Sequence, residues 1–193
     1  PPRGRAQACD DPGQGMEVRV DALDRPVTSP PEPQRIVSLV PSLTELLFAL
    51  RLGDRVIART DYCIHPADRL ATKPTVGGQK DPDLEQLIAL KPDLVIVAKE
   101  ENLERDVERL DAAGIPVFVT DVRSVADGLQ LPETIGALCG VDDATINRVA
   151  VPMRIGVAKA AVISAQRPRR RGFCAVWKDP WIGASRDTYL QSV

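Results

Sequence analysis

Short apolar runs alternate with helical patterns along the chain from residue 35 onward. Each run is rich in β-branched residues, as buried parallel strands are. The predicted strands are residues 36–40, 55–59, 93–98 and 115–120. The predicted helices are residues 42–52, 83–90, 102–113 and 124–138. Because strands and helices in this alternation form a parallel sheet covered on both faces, we predict an α/β fold of the Rossmann-like kind.

Local signals set the expected ends of these helices. Ser42 stands three residues before Glu45, a spacing typical of a capping box, so the first helix is predicted to begin there and to stop at Gly53. Asn102 is the expected start of a later helix, and Pro132 is predicted to kink the last one.

The remaining segments divide the chain into four parts. We expect an N-terminal arm, a first α/β ligand-binding lobe, a linker helix and the incomplete beginning of a second lobe, at residues 1–34, 35–141, 142–168 and 169–193. The arm is proline-rich, with a short exposed strand predicted at 16–20. Pro152 and Gly156 are expected to interrupt the linker helix. The basic run at 167–171 is interpreted as a solvated hinge, since the aromatic support of a nucleic-acid patch is absent nearby.

Composition excludes several classes of protein. The 193 residues carry 25 basic and 27 acidic side chains, a formal net charge of −2, whereas a nucleic-acid surface needs a basic excess. His65 is the single histidine, which excludes a multi-histidine metal site. No apolar run is long enough to span a membrane.

The cysteines and the N-terminus bear on the cellular compartment. Cys9, Cys63, Cys139 and Cys174 form no C-x-x-C pair, which excludes a zinc knuckle and a thioredoxin-type redox motif. Buried free thiols are favoured, and disulfides in an oxidising compartment stay open. The chain shows no signal-peptide pattern, so any export signal is expected to have been removed or to lie outside it.

Ligands of open α/β sheets bind beyond the carboxyl ends of the strands, which here points to the four loops 41–45, 60–65, 98–102 and 120–124. The long connection at 76–81 can fold over the same edge. Gly77 and Gly78 suit either a close backbone approach to a ligand or a plain turn. Neither a G-x-G-x-x-G nor a P-loop pattern occurs, so nucleotide sites are unsupported.

The loop at 60–65 carries the phenol ring of Tyr62, the thiol of Cys63 and the imidazole of His65. Tyr62 suits either stacking on a ligand or packing of the loop against the sheet. Cys63 beside His65 is a conceivable nucleophile with a base, but their spacing on an extended loop does not fix a catalytic geometry. His65 is expected to hydrogen-bond the loop or to contact the edge of a ligand.

Two further pairs of residues allow a functional and a structural interpretation. Glu100 and Glu101 are either an acid/base pair or solvated side chains at a helix entry. Trp177 and Trp181, the only tryptophans, either form an exposed shelf for a large ligand or pack into a core.

Several motifs together resemble the substrate-binding proteins of cobalamin and iron-siderophore ABC importers. They are RIVSLVPSLTE at 35–45, TDYCIHP at 60–66, VGG at 76–78, LEQLIALKPDLV at 84–95 and AGIPV at 113–117. With the WKDPW loop at 177–181, TDYCIHP is most similar to the cobalamin-binding branch. The resemblance implies two α/β lobes joined by one long helix, a periplasmic or exported binding protein without catalysis, and a cobalamin or iron complex as ligand rather than a resident cofactor.

The resemblance also implies a ligand-binding face on the first lobe with two tryptophans opposite. These residues are Pro41, Ser42, Asp61, Tyr62, Gly77, Gly78, Gln79, Lys80, Glu100, Glu101, Asn102, Trp177 and Trp181. Glu85 matches a surface carboxylate that docks onto arginines of the permease. The implied partners are that ABC permease and, through it, its ATPase. We expect a monomer that binds no nucleic acid.

Alternatives remain at this point. A ferric siderophore, or haem held by Tyr62 or His65, would suit the same family. A small α/β enzyme using Cys63 and a solitary sensor lobe without an importer are candidates of other classes. Because the second lobe is incomplete, the chain is expected to hold half a cleft and to bind its ligand less tightly.

Overall fold

The computed structural model describes residues 15–168, 172–184 and 188–192. The strands are β1 (Glu17–Val20), β2 (Pro26–Ser29), β3 (Ile36–Ser38), β4 (Val56–Arg59), β5 (Leu94–Ala98), β6 (Val117–Thr120), β7 (Ala175–Trp177) and β8 (Ile182–Gly183). The helices are α1 (Pro41–Ala49), α2 (Ala67–Leu70), α3 (Leu84–Ala89), α4 (Glu104–Ala112), α5 (Val125–Leu138), α6 (Asp143–Ala165) and α7 (Tyr189–Ser192). None of the described helices is long and apolar enough to cross a membrane.

Four parallel strands form the central sheet in the order β4-β3-β5-β6. Alternate residues of β5 point to opposite faces: Ile96 packs with α1, α5 and the start of α6, whereas Val95 and Val97 pack with α3 and α4. Helices therefore cover both faces, which confirms the predicted α/β class. The strand order reverses between β3 and β5, and a crevice at the carboxyl ends of these strands is where such sheets bind ligands.

The predicted ends of α1 are wrong. The helix begins at Pro41 after an extended Val40, and no side chain caps it. Proline suits this first position because it lacks the N–H that a cap would satisfy. At the other end Arg51, with a φ of 63°, adopts the left-handed conformation expected of Gly53. Gly53 is needed for another reason, since a Cβ there would collide with the ring of Phe48.

Three other helices test the local sequence signals that predict where a helix begins. Asp83 and Ser124 cap α3 and α5 by accepting backbone N–H bonds, as their positions predict. Asn102 does not start α4, because the residue before that helix is Leu103. The short helix α2 lies between the predicted loops at 60–65 and 76–81, where the sequence analysis assigned no helix.

The segment before the sheet is a docked hairpin, although an extended arm was expected. Strands β1 and β2 pair antiparallel, and β1 is largely exposed as predicted. The buried carboxylate of Asp21 accepts bonds from the guanidinium of Arg25, the shorter being 2.7 Å. The N–H of Ala22 donates to the carbonyl of Val119 in β6 at 3.0 Å. Residues 1–14 lie outside the described part of the chain.

Helix α6 is continuous through Pro152 and Gly156, where an interruption was expected. Pro152 has no N–H to donate to the carbonyl of Arg148, one turn earlier, and Arg148 is exposed, so water can reach that carbonyl. All described residues from Val151 to Pro168 are exposed as well. Helix α5 likewise continues through Pro132. Beyond α6, β7 and β8 form an antiparallel pair that precedes α7.

The cysteines only partly match the expected buried thiols. Cys63 and Cys139 are free and buried, whereas Cys174 is free and exposed. Cys9 lies outside the described residues. Burial raises the pKa of the Cys139 thiol to about 12 despite the opposing charge of Arg55, so this thiol stays protonated at neutral pH.

Candidate functional site

Three of the predicted loops are tied together at the carboxyl edge of the sheet. The N–H of Asp61 donates to the carbonyl of Gly77 at 2.9 Å. Lys80 Nζ donates to the carbonyl of Glu100 at 2.9 Å, and Gln79 Nε2 donates to the carboxylate of Glu101. The loop at 76–81 therefore bridges the loops that follow β4 and β5.

Asn102 completes this bridge and is a structural crosslink rather than a helix cap. Its side-chain oxygen accepts the N–H of Ala98 at 3.0 Å, and its amide nitrogen donates to the carbonyl of Gln79 at 3.1 Å. The side chain is buried, at 7% exposure, so its polar atoms are committed to the protein.

The glycine pair forms a tight turn beside Tyr62. Gly77 has a φ of +83°, and a Cβ there would lie 2.9 Å from the carbonyl oxygen of Asp81. A Cβ on Gly78 would collide with the Asp81 carboxylate and lie 3.7 Å from the Tyr62 ring. The positive φ and the backbone contact require glycine at position 77, whereas the contact at position 78 is with the end of the Asp81 side chain. The geometry at Gly77 supports the turn interpretation.

Tyr62 and Cys63 point to opposite environments although they are neighbours. The ring of Tyr62 is 63% exposed at the rim of the site. Cys63 is fully buried, with its sulfur 3.1 Å from the hydroxyls of Thr44 and Thr60. Neither hydroxyl is a base, so this contact set fits an anchor of the loop and gives no support to a Cys63 nucleophile.

The electrostatics of the site centre on Glu101. Partial burial is the main cause that raises the pKa of its carboxyl group, and the neighbouring charge of Glu100 acts in the same direction. Lys80 and the hydrogen bond from Gln79 oppose the shift. Glu101 is thus half-buried, whereas Glu100 is exposed.

A largely apolar groove of about 910 Å³ begins at these loops and continues between α1, α5 and α6. Among the predicted site residues it contains Ser42, Glu100 and Glu101. Its described lining is Ser42, Glu45, Leu46, Ala49, Glu100, Glu101, Val122, Val125, Gly128, Leu129, Leu131, Pro132, Val149, Met153, Gly156, Val157 and Tyr189.

Tyr189 is a lining residue that sequence reasoning missed. A Cβ on Gly128 would lie 3.8 Å from its ring, so α7 rests against the first turn of α5. The only available signal was that the chain has just two tyrosines, since nothing local links positions 128 and 189.

The other predicted residues are not among the described lining residues of this groove. Pro41 is the first residue of α1, and Asp61 is exposed near Tyr62. Trp177 lies in β7, where its backbone pairs with Ile182. Trp181 is 66% exposed and is not among the described lining residues. Glu85 is exposed in the first turn of α3.

A second, more open groove of about 560 Å³ adjoins the first one along α1, where both include Glu45 and Ala49, and it also includes His65. Its wall contains Arg69, whose guanidinium carbon lies 4.9 Å from the centroid of the Phe48 ring. Within the described residues, no group of three or more His, Cys, Asp or Glu side chains is placed to hold a metal ion.

Residues 36–145 match the family described as periplasmic binding protein, and this span is more than half of the chain. The chain belongs to the periplasmic binding protein family. Its matched span runs from β3 to the first turn of α6 and so includes the whole parallel sheet. The family consists of binding proteins, in agreement with the contacts of Cys63.

Two curated relatives are similar to this chain. An uncharacterized ABC transporter substrate-binding lipoprotein of Bacillus subtilis is 32% identical over 181 residues, which are 90% of this chain and 56% of the relative. A vitamin B12-binding protein of Yersinia pestis is 36% identical over 88 residues, which are 46% of this chain and 31% of the relative. The chain therefore spans about half or less of the length of these relatives.

Solved structures confirm the fold. A periplasmic vitamin B12 binding protein of Vibrio cholerae superposes with a TM-score of 0.72 at 23% identity, over 83% of this chain and 62% of that one. A periplasmic heme-binding protein of Roseiflexus superposes with a TM-score of 0.71 at 24% identity, over 82% and 62%. These likenesses concern the fold and leave the ligand to other evidence.

Proposed function

We propose that this chain is part of the substrate-binding component of an ABC importer and that its ligand is a corrinoid such as cobalamin. The observation that carries the proposal is the convergence of the loops after β3, β4 and β5 beside an apolar groove of about 910 Å³. A groove of this size with few polar groups suits a large amphipathic ligand. The vitamin B12-binding protein of Yersinia pestis, similar over 88 residues, adds support for a corrinoid.

The first lobe offers one wall for this ligand. Its exposed Tyr62 ring is available for stacking, and the turn at Gly77 and Gly78 brings backbone close to that ring. We assign residues 35–141 to the first lobe, 142–168 to the linker helix and 169–193 to the beginning of the second lobe. Trp177 and Trp181 belong to the facing wall in this proposal.

The proposed partners follow from the importer role. The exported protein, a monomer, delivers its ligand to the permease, which the ATPase drives. Glu85 is exposed on α3, away from the groove lining, so its carboxylate is available to permease arginines. In cells whose corrinoid uptake depends on this protein, Glu85→Arg should lower uptake without altering ligand affinity, whereas Glu108→Arg on α4 should change neither. Unchanged uptake by Glu85→Arg would contradict the docking role.

Haem is the second candidate ligand, favoured by one observation. Tyr62 and His65 are both exposed on the same loop, and either side chain is an axial ligand that haem iron accepts. The Roseiflexus heme-binding protein shares the fold. A ferric siderophore remains the third ligand of the same proposed role.

Isothermal titration calorimetry of the chain with cyanocobalamin, haemin and a ferric siderophore tests the ligand. We expect saturable binding of cyanocobalamin, weakened about tenfold by Tyr62→Ala because the stacking surface is lost. Tyr62→Phe keeps the ring and should bind as the wild type does. Binding of haemin or the siderophore in place of cyanocobalamin would overturn the corrinoid proposal, and Tyr62→Phe would then separate iron ligation from stacking.

A further inference from the structure

Tyr189 belongs to the groove although it comes from α7, the last of the described helices. It is 40% exposed and lines the groove together with Val122 and Val125. A Cβ on Gly128 would lie 3.8 Å from the Tyr189 ring and 3.8 Å from the Val122 side chain. Because Val122 follows the end of β6 closely, the Tyr189 ring lies near the loop at the carboxyl end of that strand.

Tyr62 and Tyr189 stand at opposite ends of the carboxyl edge of the sheet. In the order β4-β3-β5-β6 the outer strands are β4, which Tyr62 follows, and β6, whose loop lies near Tyr189. Adjacent strands are about 4.8 Å apart, so the three strand spacings of this sheet separate the two loops by about 14 Å. Between them, Ser42 after β3 and Glu101 after β5 line the groove.

We propose that Tyr189 is a ligand-binding residue and that, together with Tyr62, it selects a rigid macrocycle. The inference rests on the proposed function and deepens it, since it adds a binding residue and the shape of the ligand. A ligand that contacts both rings reaches across about 14 Å. A corrin with its side chains is about this wide and is already ordered, whereas a flexible chain loses conformational freedom on binding.

The surroundings of Tyr189 suit contact with a ring system. Val125 and Leu129 of the same helix line the groove, so its α5 wall is apolar here. Gly128 has no side chain to cover the Tyr189 ring, and an aromatic face stacks on planar apolar groups. Leu190, the next residue of α7, is 50% exposed but is not among the described lining residues. The two neighbours therefore differ in their access to the groove.

Isothermal titration calorimetry of single variants with cyanocobalamin tests the role of Tyr189. We expect Tyr189→Ala to bind about tenfold more weakly than the wild type, because a stacking ring is lost. Tyr189→Phe keeps the ring and should bind as the wild type does. The matched control, Leu190→Ala, removes an exposed apolar side chain outside the groove lining and should leave the affinity unchanged. Equal weakening by Leu190→Ala would overturn the inference, because a general disturbance of α7 would then explain both losses.

A further variant separates ligand contact from the packing of α7 against α5. Tyr189→Leu retains an apolar side chain that packs near Gly128 but has no aromatic face, so its affinity should fall nearly as far as that of Tyr189→Ala. Affinity of Tyr189→Leu equal to that of the wild type would mean that Tyr189 only holds α7 in place, and would overturn the inference.

The double variant Tyr62→Ala with Tyr189→Ala tests whether one ligand contacts both rings. Sites this far apart have independent effects, so the two losses should multiply to about a hundredfold. A double variant that binds as tightly as Tyr62→Ala alone would show that the ligand does not reach Tyr189.

These outcomes are distinct from failure of the proposed function. Cyanocobalamin binding that Tyr189→Ala leaves unchanged contradicts the role of Tyr189 and leaves the corrinoid proposal standing. Binding of haemin in place of cyanocobalamin, weakened by Tyr189→Ala, contradicts the corrinoid proposal and supports the macrocycle inference, since a porphyrin is also a rigid macrocycle. Haemin binding that Tyr189→Ala does not alter contradicts both. Binding of neither macrocycle, with or without binding of the linear chelate ferrioxamine B, also contradicts both.

Discussion

Helix α6 contains two regions that differ sharply although their composition is similar. In its first two turns Ile146 is 7% exposed and Ala150 is fully buried, because α5 packs against them. In its second half Val162 and Ile163 are 61% and 52% exposed. The apolar character of the sequence is alike in both halves, so a packing partner and not composition decides where the helix contributes to a core.

The sheet region illustrates the opposite case. Every residue of β3 and β6 is buried between two layers of helices. In β4 and β5 the only partly buried residues are Ile57, Arg59 and Ala98. The crossovers supply most of the cover for these strands, and Val27 of the hairpin and Val149 of α6 add to the same core. The C-terminal half of α6 has no such cover among the described residues.

The largest expected effect contrasts two isoleucines. Ile96→Ala in β5 removes a fully buried side chain and should lower the free energy of unfolding by about 2–5 kcal/mol. Ile163→Ala, at an exposed position of α6, should change it by less than about 0.5 kcal/mol. Urea denaturation measures both. Similar losses would mean that the second half of α6 is covered in solution.

The hairpin provides the next contrast, between a buried and a solvated carboxylate. Asp21→Ala removes the acceptor of Arg25 and should cost about 2–3 kcal/mol, since hydrogen bonds to charged groups are lost and the guanidinium is left without them. Asp54→Ala breaks the pair with Arg69 at a 96% exposed side chain and should cost less than about 0.5 kcal/mol. If Asp21→Ala hardly lowers the free energy of unfolding in urea denaturation, the hairpin contributes little to stability.

The two buried thiols should respond differently to serine. Cys139→Ser places a hydroxyl in an apolar cluster and should cost about 1–3 kcal/mol. Cys63→Ser keeps the contacts with Thr44 and Thr60, so its cost should be below about 1 kcal/mol. Thermal denaturation checks the order. Rapid alkylation of Cys63, but not of the exposed Cys174, in the folded chain would contradict the burial of Cys63. It would support the hypothesis that Cys63 is a reactive nucleophile.

The smallest effect concerns Glu101 and pH. Its pKa in the folded chain is raised above the ordinary value of 4.5, chiefly by burial, so the folded state holds this proton more tightly. The contribution of Glu101 to stability therefore falls as the pH rises from 4.5 through the folded pKa. Glu101→Gln should gain stability relative to the wild type between pH 4 and pH 7, as followed by urea denaturation. A difference between Glu101→Gln and the wild type that stays flat across this pH range would contradict the shift.

The sequence predicts the sheet well because buried parallel strands have nearly continuous apolar runs, as at Leu94–Ala98. Helix ends are less predictable. Arg51 takes a left-handed conformation because two backbone bonds, from Arg51 to Phe48 and from Leu52 to Leu47, compensate its cost. Such compensation depends on how the turn packs, whereas the sequence indicated the end of the helix only through Gly53.

The candidate site is predictable as a set of loops but not as a set of contacts. Tyr62 follows β4, and Gly77 lies in the loop that reaches the same edge. The topology of the sheet brings both loops to the carboxyl edge of the strands. The bond between Gln79 and Glu101 joins positions 22 residues apart, so no local spacing indicates it. Asn102 had the residue type of a helix cap, and its amide instead serves the neighbouring loop.

The outer strands of the sheet have a consequence for the behaviour of the protein at high concentration. The carbonyls of Val117 and Val119 in β6 accept bonds from Arg25 and Ala22 of the hairpin, and the backbone of Arg59 in β4 pairs with residues 74–76. A second molecule adding its own strand would find these backbone groups already engaged. The hairpin thus protects the β6 edge of the sheet against edge-to-edge association with other molecules.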